Sequence, residues 1–171
     1  MDAIDFIQGL EASRIPAAAR HHATRALIDT LGVAAAATQT DNSRILRDFA
    51  STAFGAPGKA AKLMFDGRAV SLPGAGFANS GSIDSLDAHD GQKSTKGHMG
   101  VVVIPVLFAF AEGEIPVSGG EFMTRLVIGY EIATRAGLAL HASVSDYHTS
   151  GAWNALAAAA IGARALKLDV Q

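Results

Sequence analysis

The chain has 171 residues, of which 49% are hydrophobic and 18% are charged, with a formal net charge of -2 at pH 7 and no cysteine. The near-neutral charge excludes the basic surface of a nucleic-acid-binding protein, and the lack of cysteine excludes disulfides and thiolate metal sites. No apolar run is long enough to span a membrane and the first residues are acidic rather than basic, so the sequence predicts a cytoplasmic protein without membrane partners.

The first part of the chain predicts three helices and one short hairpin, because apolar residues repeat there at helical spacing and alanine is abundant. Pro16 indicates the first turn of the second helix, and Asp41-Asn42-Ser43 indicates the cap of the third. The predicted elements are helices at residues 3–10, 17–37 and 44–54 and a hairpin within residues 62–70.

A fourth helix is predicted to begin at Ser71-Leu72-Pro73 and to lead into the most polar stretch of the chain, residues 85–100. If this helix continues to Gly91, then Asp84, Asp87 and Asp90 lie along one of its faces, because they are three residues apart. The helix would thus carry three carboxylates to the same place.

Cations follow these carboxylates closely in the sequence. Lys93, Lys96 and His98 lie in the loop after Gly91, within reach of the acids. Such crowding favours ionised carboxylates and a histidine that titrates near neutrality, which suits proton transfer on an anionic substrate. The spacing alone is equally typical of a solvated helix end with ordinary charge pairs.

The last part of the chain predicts three more helices. The apolar run around Pro105 predicts a helix that is kinked or begins near the proline, and a start as early as Met99 would place free backbone amides near the loop. Residues 118–121 form a capping-box pattern ahead of a long helix. With helices at about residues 106–112, 122–142 and 152–166, we expect an all-α protein, a single helical domain over residues 1–171 with at most one small hairpin.

Five segments occur in the order known from one protein family. They are residues 25–33, residues 86–90 with 97–100, residues 103–105, residues 129–132 and residues 148–153. On these segments the chain resembles the MmgE/PrpD family, which contains 2-methylcitrate dehydratases, cis-aconitate decarboxylases and iminodisuccinate epimerases. The resemblance implies a helical domain, usually in a homodimer, acting without metal or organic cofactor on small di- or tricarboxylates.

The resemblance also implies which residues form the site and how much of the site this chain holds. It identifies Asp87, His98 and His148 as catalytic residues. Ala88-His89-Asp90-Gly91 departs from the Phe-Asp-Asp-Thr wording typical of the dehydratases and decarboxylases and looks more like the epimerase side of the family. Family members continue further, with more helices, a lid and additional site residues, so the resemblance implies that this chain corresponds to the N-terminal helical portion and holds part of the site.

The resulting hypothesis is proton abstraction from a carbon α to a carboxylate. His98 and His148 would act as acid and base, and Asp87 would orient one imidazole. Both elimination and epimerisation fit this set of groups. The predicted substrate-binding residues, which would hold carboxylates and stabilise enolate-like charge, are Asp90, Lys93 and Lys96.

Two other classes of function stay open. A metal-dependent phosphohydrolase could use the His89-Asp90 pair if His21, His22 or Asp146 converged on it. A non-catalytic helical module could instead associate with itself or with a partner through an exposed alanine-rich surface.

Overall fold

Within residues 2–56, 58–113, 117–145 and 149–169, which the computed structural model describes, the chain forms seven α-helices and one antiparallel hairpin. The helices are α1 (Ala3–Gly9), α2 (Ala17–Ala37), α3 (Asp41–Ala53), α4 (Leu72–Asp84), α5 (Gly100–Gly113), α6 (Gly119–Ser143) and α7 (Ser150–Ala165). The strands are β1 (Ala60–Lys62) and β2 (Ala69–Ser71), and a short 3-10 turn (Ala12–Arg14) lies between α1 and α2. The prediction of a mainly helical fold is confirmed, since 70% of the described residues are helical.

Capping side chains set several helix starts, and Ser118 caps α6 as predicted, although α6 begins at Gly119 rather than at residue 122. The hydroxyl of Ser118 accepts a hydrogen bond of 3.1 Å from the amide of Glu121 and begins α6. α3 begins earlier than predicted, because the cap is Thr40, whose hydroxyl accepts from the amide of Ser43 at 3.1 Å. Residues 41–43 are therefore the first turn of α3 rather than its cap.

α4 ends at Asp84, so the prediction that it continues to Gly91 is wrong. The hydroxyl of Ser85 donates to the carbonyl of Ser82 at 2.6 Å, which satisfies a carbonyl at the helix end. Asp87 then has a φ of 47°, in the left-handed region that a right-handed helix excludes. Consequently Asp84, Asp87 and Asp90 do not share a helix face.

α5 begins at Gly100, which confirms the early start and contradicts a start near Pro105. Pro105 lies inside the helix and is buried there. Because proline has no amide hydrogen, α5 lacks one hydrogen bond at this turn, and packing has to compensate for it.

The core is organised around α5, which packs against α4, α6 and α7. Burying each of its large apolar side chains contributes about 1.5–3 kcal/mol. The largest cluster includes Met99, Val103, Ile104, Leu107, Leu126, Trp153 and Ile161. A second cluster lies under the hairpin and includes Leu63 and Val70. None of the described helices has both the length and the apolar character needed to cross a membrane.

Arg164, near the end of α7, ties the first helix to the rest of the fold. Its guanidinium contacts Glu121 of α6 at 2.7 Å and donates to the carbonyls of Ile7 and Leu10 at 2.7 and 2.8 Å. The hydrogen bonds from Arg164 hold the pKa of the Glu121 carboxyl below its usual range. Both side chains are mostly buried, so this network fixes α1 against α6 and α7.

An apolar surface remains exposed beside α3 and α4. The rings of Phe49, Phe54 and Phe77 lie 5.8–6.0 Å from one another, and about half of Phe49 and Phe77 is exposed. A groove of about 370 Å³ adjoins Phe77 and is lined by apolar residues that include Val106 and Phe110. This surface is of the kind through which helical modules associate.

Candidate functional site

The loop between α4 and α5 is held in one conformation by its own hydrogen bonds. The amide of Gln92 donates to the carbonyl of Gly97 at 2.9 Å, and the side-chain oxygen of Gln92 accepts from the amide of Thr95 at 3.0 Å. Nε2 of His141, on α6, lies 2.6 Å from the carbonyl oxygen of Thr95. The loop is therefore anchored to the helical core as well as closed on itself.

α7 holds the backbone of His98 from the other side. The amide of His98 donates to Oγ of Ser150 at 3.1 Å, and Nδ2 of Asn154 donates to the carbonyl of His98 at 2.7 Å. Gly97 permits this approach, because a Cβ there would collide with Ser150 and lie 2.9 Å from the ring of Trp153. The start of α7 thus determines where the His98 ring lies.

The His98 ring is oriented by a hydrogen bond to the backbone. Nδ1 lies 2.7 Å from the carbonyl oxygen of Asp90, and Nε2 lies 3.7 Å from Oδ1 of Asp87. A carbonyl oxygen only accepts, so Nδ1 carries the hydrogen and Nε2 keeps its lone pair in the neutral ring. About a third of the His98 side chain is exposed. The ring is therefore reachable by a small molecule and points a basic nitrogen towards Asp87.

Asp90 joins this loop to the start of α5. Its carboxylate accepts the amide of Gly100 at 3.1 and 3.3 Å, at the positive end of the helix dipole. Burial raises the pKa of the Asp90 carboxyl, opposed by the nearby Tyr130 hydroxyl and by the hydrogen bond from the amide of Gly100. Burial likewise raises the pKa of Tyr130, and Asp90 adds to this effect. Only glycine fits at position 100, because a Cβ would lie 2.6 Å from the Tyr130 hydroxyl and 2.7 Å from that of Thr30.

His89 lies beside His98 in the interior. The two ring centroids are 4.3 Å apart, and the side chain of His89 is fully buried. Nε2 of His89 is 3.8 Å from Oδ1 of Asp84, which is too long for a hydrogen bond. Neither ring nitrogen has a hydrogen-bond partner among the described residues. Burial and the neighbouring His98 lower the pKa of His89, so the ring is neutral near pH 7.

A cleft of about 460 Å³ opens over the exposed edge of His98. α7 contributes its first turn to the wall, and its cap residue Thr149 makes no side-chain hydrogen bond to the helix amides. Free amides at a helix start are donors suited to an anion. The polar residues lining the cleft are Ser80, Asp84, Asp87, His98, Thr149, Ser150 and Asn154.

A comparison with protein families matches the chain to a known family. The model of the MmgE/PrpD N-terminal domain matches residues 2–171, which is the whole chain. The chain belongs to the MmgE/PrpD family. This confirms the resemblance noted in the sequence, and membership indicates a dehydratase- or lyase-like family. A comparison with curated proteins gave no significant match.

In this MmgE/PrpD chain, some of the predicted site residues lie together and others do not. Asp87 and His98 both line the cleft. Lys93 and Lys96 are exposed on the loop and are not among the residues that line it. His148 lies outside the described residues.

The carboxylate of Asp90, which we predicted to bind substrate, faces the amide of Gly100. Asp90 also borders a second cleft, of about 530 Å³, together with His22 and Tyr130. The carbonyl of Asp90 orients the His98 ring, and its carboxylate accepts the amide of Gly100. The position of Asp90 in the sequence did not reveal this structural role.

One group of residues in this MmgE/PrpD chain could hold a metal ion. Among the described residues, Asp87, His89 and His98 each offer a ligand atom within 4.8 Å of the others. His21 and His22, which a phosphohydrolase would need, are exposed on α2 and do not join this group. Asp146 lies outside the described residues. The phosphohydrolase ligand set is thus not assembled among the described residues.

The sequence did not predict that His89 lies beside Asp87 and His98. The sequence interpretation used His89 for the phosphohydrolase alternative and for the likeness to the epimerases, but not as a site residue. Its position, where the resemblance implies an aspartate in the dehydratases and decarboxylases, was the available signal. Ser150 and Asn154 carried no such signal, because their contacts with His98 depend on tertiary packing.

Proposed function

We propose that this chain takes part in cofactor-independent proton abstraction from a carbon α to a carboxylate, on a small di- or tricarboxylate such as methylcitrate or iminodisuccinate. The hydrogen bond between His98 Nδ1 and the carbonyl of Asp90 carries the proposal, because it leaves Nε2 as a lone-pair base beside an open cleft. Membership of a dehydratase- or lyase-like family supports the same class of chemistry.

His98 acts as the base and Asp87 as its partner. When Nε2 takes a proton, the ring becomes a cation, and the Asp87 carboxylate 3.7 Å away stabilises it. A positioned general base accelerates a reaction by about 10²–10⁴-fold. Asp87 is mostly exposed, so its carboxylate can follow the ring as the charge develops.

The start of α7 receives a carboxylate of the substrate. Ser150 and Gly151 line the cleft, and the amides of the first helical turn stabilise negative charge there. The enolate-like charge that forms on the reacting carboxylate needs further donors in the transition state. Lys93 and Lys96 are the proposed cations for this charge, reaching in from the exposed part of the loop.

His148 is the proposed second proton-transfer group. Thr149, the next residue in the chain, lines the cleft, which supports this assignment. A second group on the opposite face of the carbon would epimerise the substrate. A group acting instead as an acid towards a departing hydroxyl would complete an elimination.

Turnover of methylcitrate, cis-aconitate and iminodisuccinate, followed by NMR, tests this proposal. We expect His98→Gln to lower turnover by about 100-fold, the usual value of a positioned base. His21→Gln, an exposed histidine on α2, is the matched control and should match the parent. Equal turnover in the parent and in His98→Gln would contradict the assignment of the base.

A non-catalytic role in self-association is the second candidate, favoured by the exposed Phe49 and Phe77 beside the apolar groove. In this role the chain forms a homodimer through the surface that contains Phe49 and Phe77. Light scattering tests the homodimer, which the parent should form and a Phe77→Ser variant should not. Turnover of any of the three substrates by the parent would contradict a purely non-catalytic role.

A further inference from the structure

The imidazole of His89 is buried, and the proposed proton transfer gives it no role. Its side chain has no exposed surface, and both ring nitrogens lack a hydrogen-bond partner among the described residues. A buried polar group without a partner costs about 1–3 kcal/mol. Such a cost persists in proteins mainly where the group serves a ligand or a reaction.

We propose that Asp87, His89 and His98 bind a divalent transition-metal ion of the Zn²⁺ type. Their ligand atoms all lie within 4.8 Å of one another, and Nε2 of His98 is already 3.7 Å from Oδ1 of Asp87. Ligands about 2.0–2.2 Å from a tetrahedral Zn²⁺ are about 3.3–3.6 Å apart. A movement of about 1 Å would bring the remaining ligand atoms to this separation. The Asp87 carboxylate is free to make that movement, because 84% of its side chain is exposed.

The neighbours of the His98 and His89 rings can be compared with those of metal-binding histidines. A metal-binding histidine nearly always donates its other ring N–H to a carbonyl or a carboxylate, which fixes the nitrogen that faces the ion. His98 makes this bond to the carbonyl of Asp90. Asp84, whose carboxylate lies 3.8 Å from Nε2 of His89, would have to move about 1 Å closer to accept the same bond from the second ring.

The ligand types define the class of ion. Two imidazoles and one carboxylate suit Zn²⁺, Co²⁺ or Ni²⁺, whereas Mg²⁺ and Ca²⁺ prefer sites made of oxygen atoms. The cleft borders both Asp87 and His98, which leaves a coordination position open to solvent. Because the ion takes the lone pair of His98 Nε2, it removes the proposed base. This last consequence rests on the proposed function, and Zn²⁺ should then act as an inhibitor that a chelator reverses.

Calorimetric titration of tag-free protein with Zn²⁺ tests the site directly. We expect one Zn²⁺ per chain, and affinity lowered by about 10-fold or more in His89→Gln and in Asp87→Asn. Asn tolerates the left-handed backbone at position 87 and the side chain there is exposed, so Asp87→Asn keeps the fold even where a change at His89 does not. The matched control is His21→Gln, which should bind as the parent does.

Two results would overturn the site: a parent that binds Zn²⁺ no more tightly than Asp87→Asn, or a His21→Gln control that loses as much affinity as the ligand variants. The titration needs no substrate. Absence of turnover in the parent would therefore count against the proposed function alone, and absence of specific binding would count against the metal site alone.

Discussion

Nδ1 of His98 lies 2.7 Å from the backbone carbonyl oxygen of Asp90, and the carboxylate of the same Asp90 accepts the first amide of α5. Asp90 therefore fixes both the orientation of the His98 ring and the start of the central helix. Ser150 and Asn154 fix the backbone of His98 from α7. His98 is therefore held by its own loop and by α7, which is distant in sequence, and Nε2 points towards Asp87, which lines the cleft.

The partly buried Asp90 carboxyl predicts how the stability of the protein depends on pH. Burial raises the pKa of Asp90 in the folded state, so folding favours its protonated form. The stability that comes from this preference is present at low pH and is lost as the pH rises through the folded-state pKa. In urea unfolding from pH 7 to pH 4, the parent should therefore gain free energy of unfolding relative to Asp90→Asn. A difference that stays constant, or that falls towards low pH, would contradict the burial of this carboxyl.

Close packing at Gly97 predicts that alanine is not tolerated there. A Cβ would collide with Ser150 and crowd Trp153, so we expect Gly97→Ala to lower the free energy of unfolding by about 1–3 kcal/mol. Gly32 is the matched control, because it lies in α2 with no atom within 4 Å of the added carbon. Gly32→Ala should stabilise the protein by about 0.5–1 kcal/mol. Similar effects of the two changes in urea unfolding would show that α7 does not pack on the loop as described.

The Arg164 network predicts that replacing Arg164 costs much more free energy of unfolding than replacing Arg135. Arg164→Met leaves the carbonyls at the end of α1 without their donor and removes one of the two arginines that pair with Glu121, while Arg125 still donates to that carboxylate. The expected cost is about 2–3 kcal/mol, since Glu121 is partly exposed. Arg135 pairs with Glu131 on the surface of α6, and Arg135→Met should cost less than about 0.5 kcal/mol. Amide hydrogen exchange should show α1 opening only in the Arg164 variant. Protection of α1 that is unchanged by Arg164→Met would rule out this anchoring role.

Local signals in the sequence were enough to predict most of the helices. Pro16 and the Ser118 cap located the starts of α2 and α6, because both act within one helical turn. The end of α4 was missed, because acids at intervals of three suit a helix equally well, and the left-handed Asp87 follows from how the loop packs. The family resemblance gave the prediction of Asp87 and His98 as site residues, whereas the burial of His89 depends on tertiary packing.

The tautomer of His98 is the most direct measurement of the proposed base. Long-range ¹H–¹⁵N NMR of the protein labelled with ¹⁵N-histidine, at a pH where the ring is neutral, distinguishes a protonated ring nitrogen from one with a lone pair. The bond to the Asp90 carbonyl predicts a protonated Nδ1 and a bare Nε2 for His98. A ring that carries its hydrogen on Nε2 would contradict the proposed base and its orientation by Asp90.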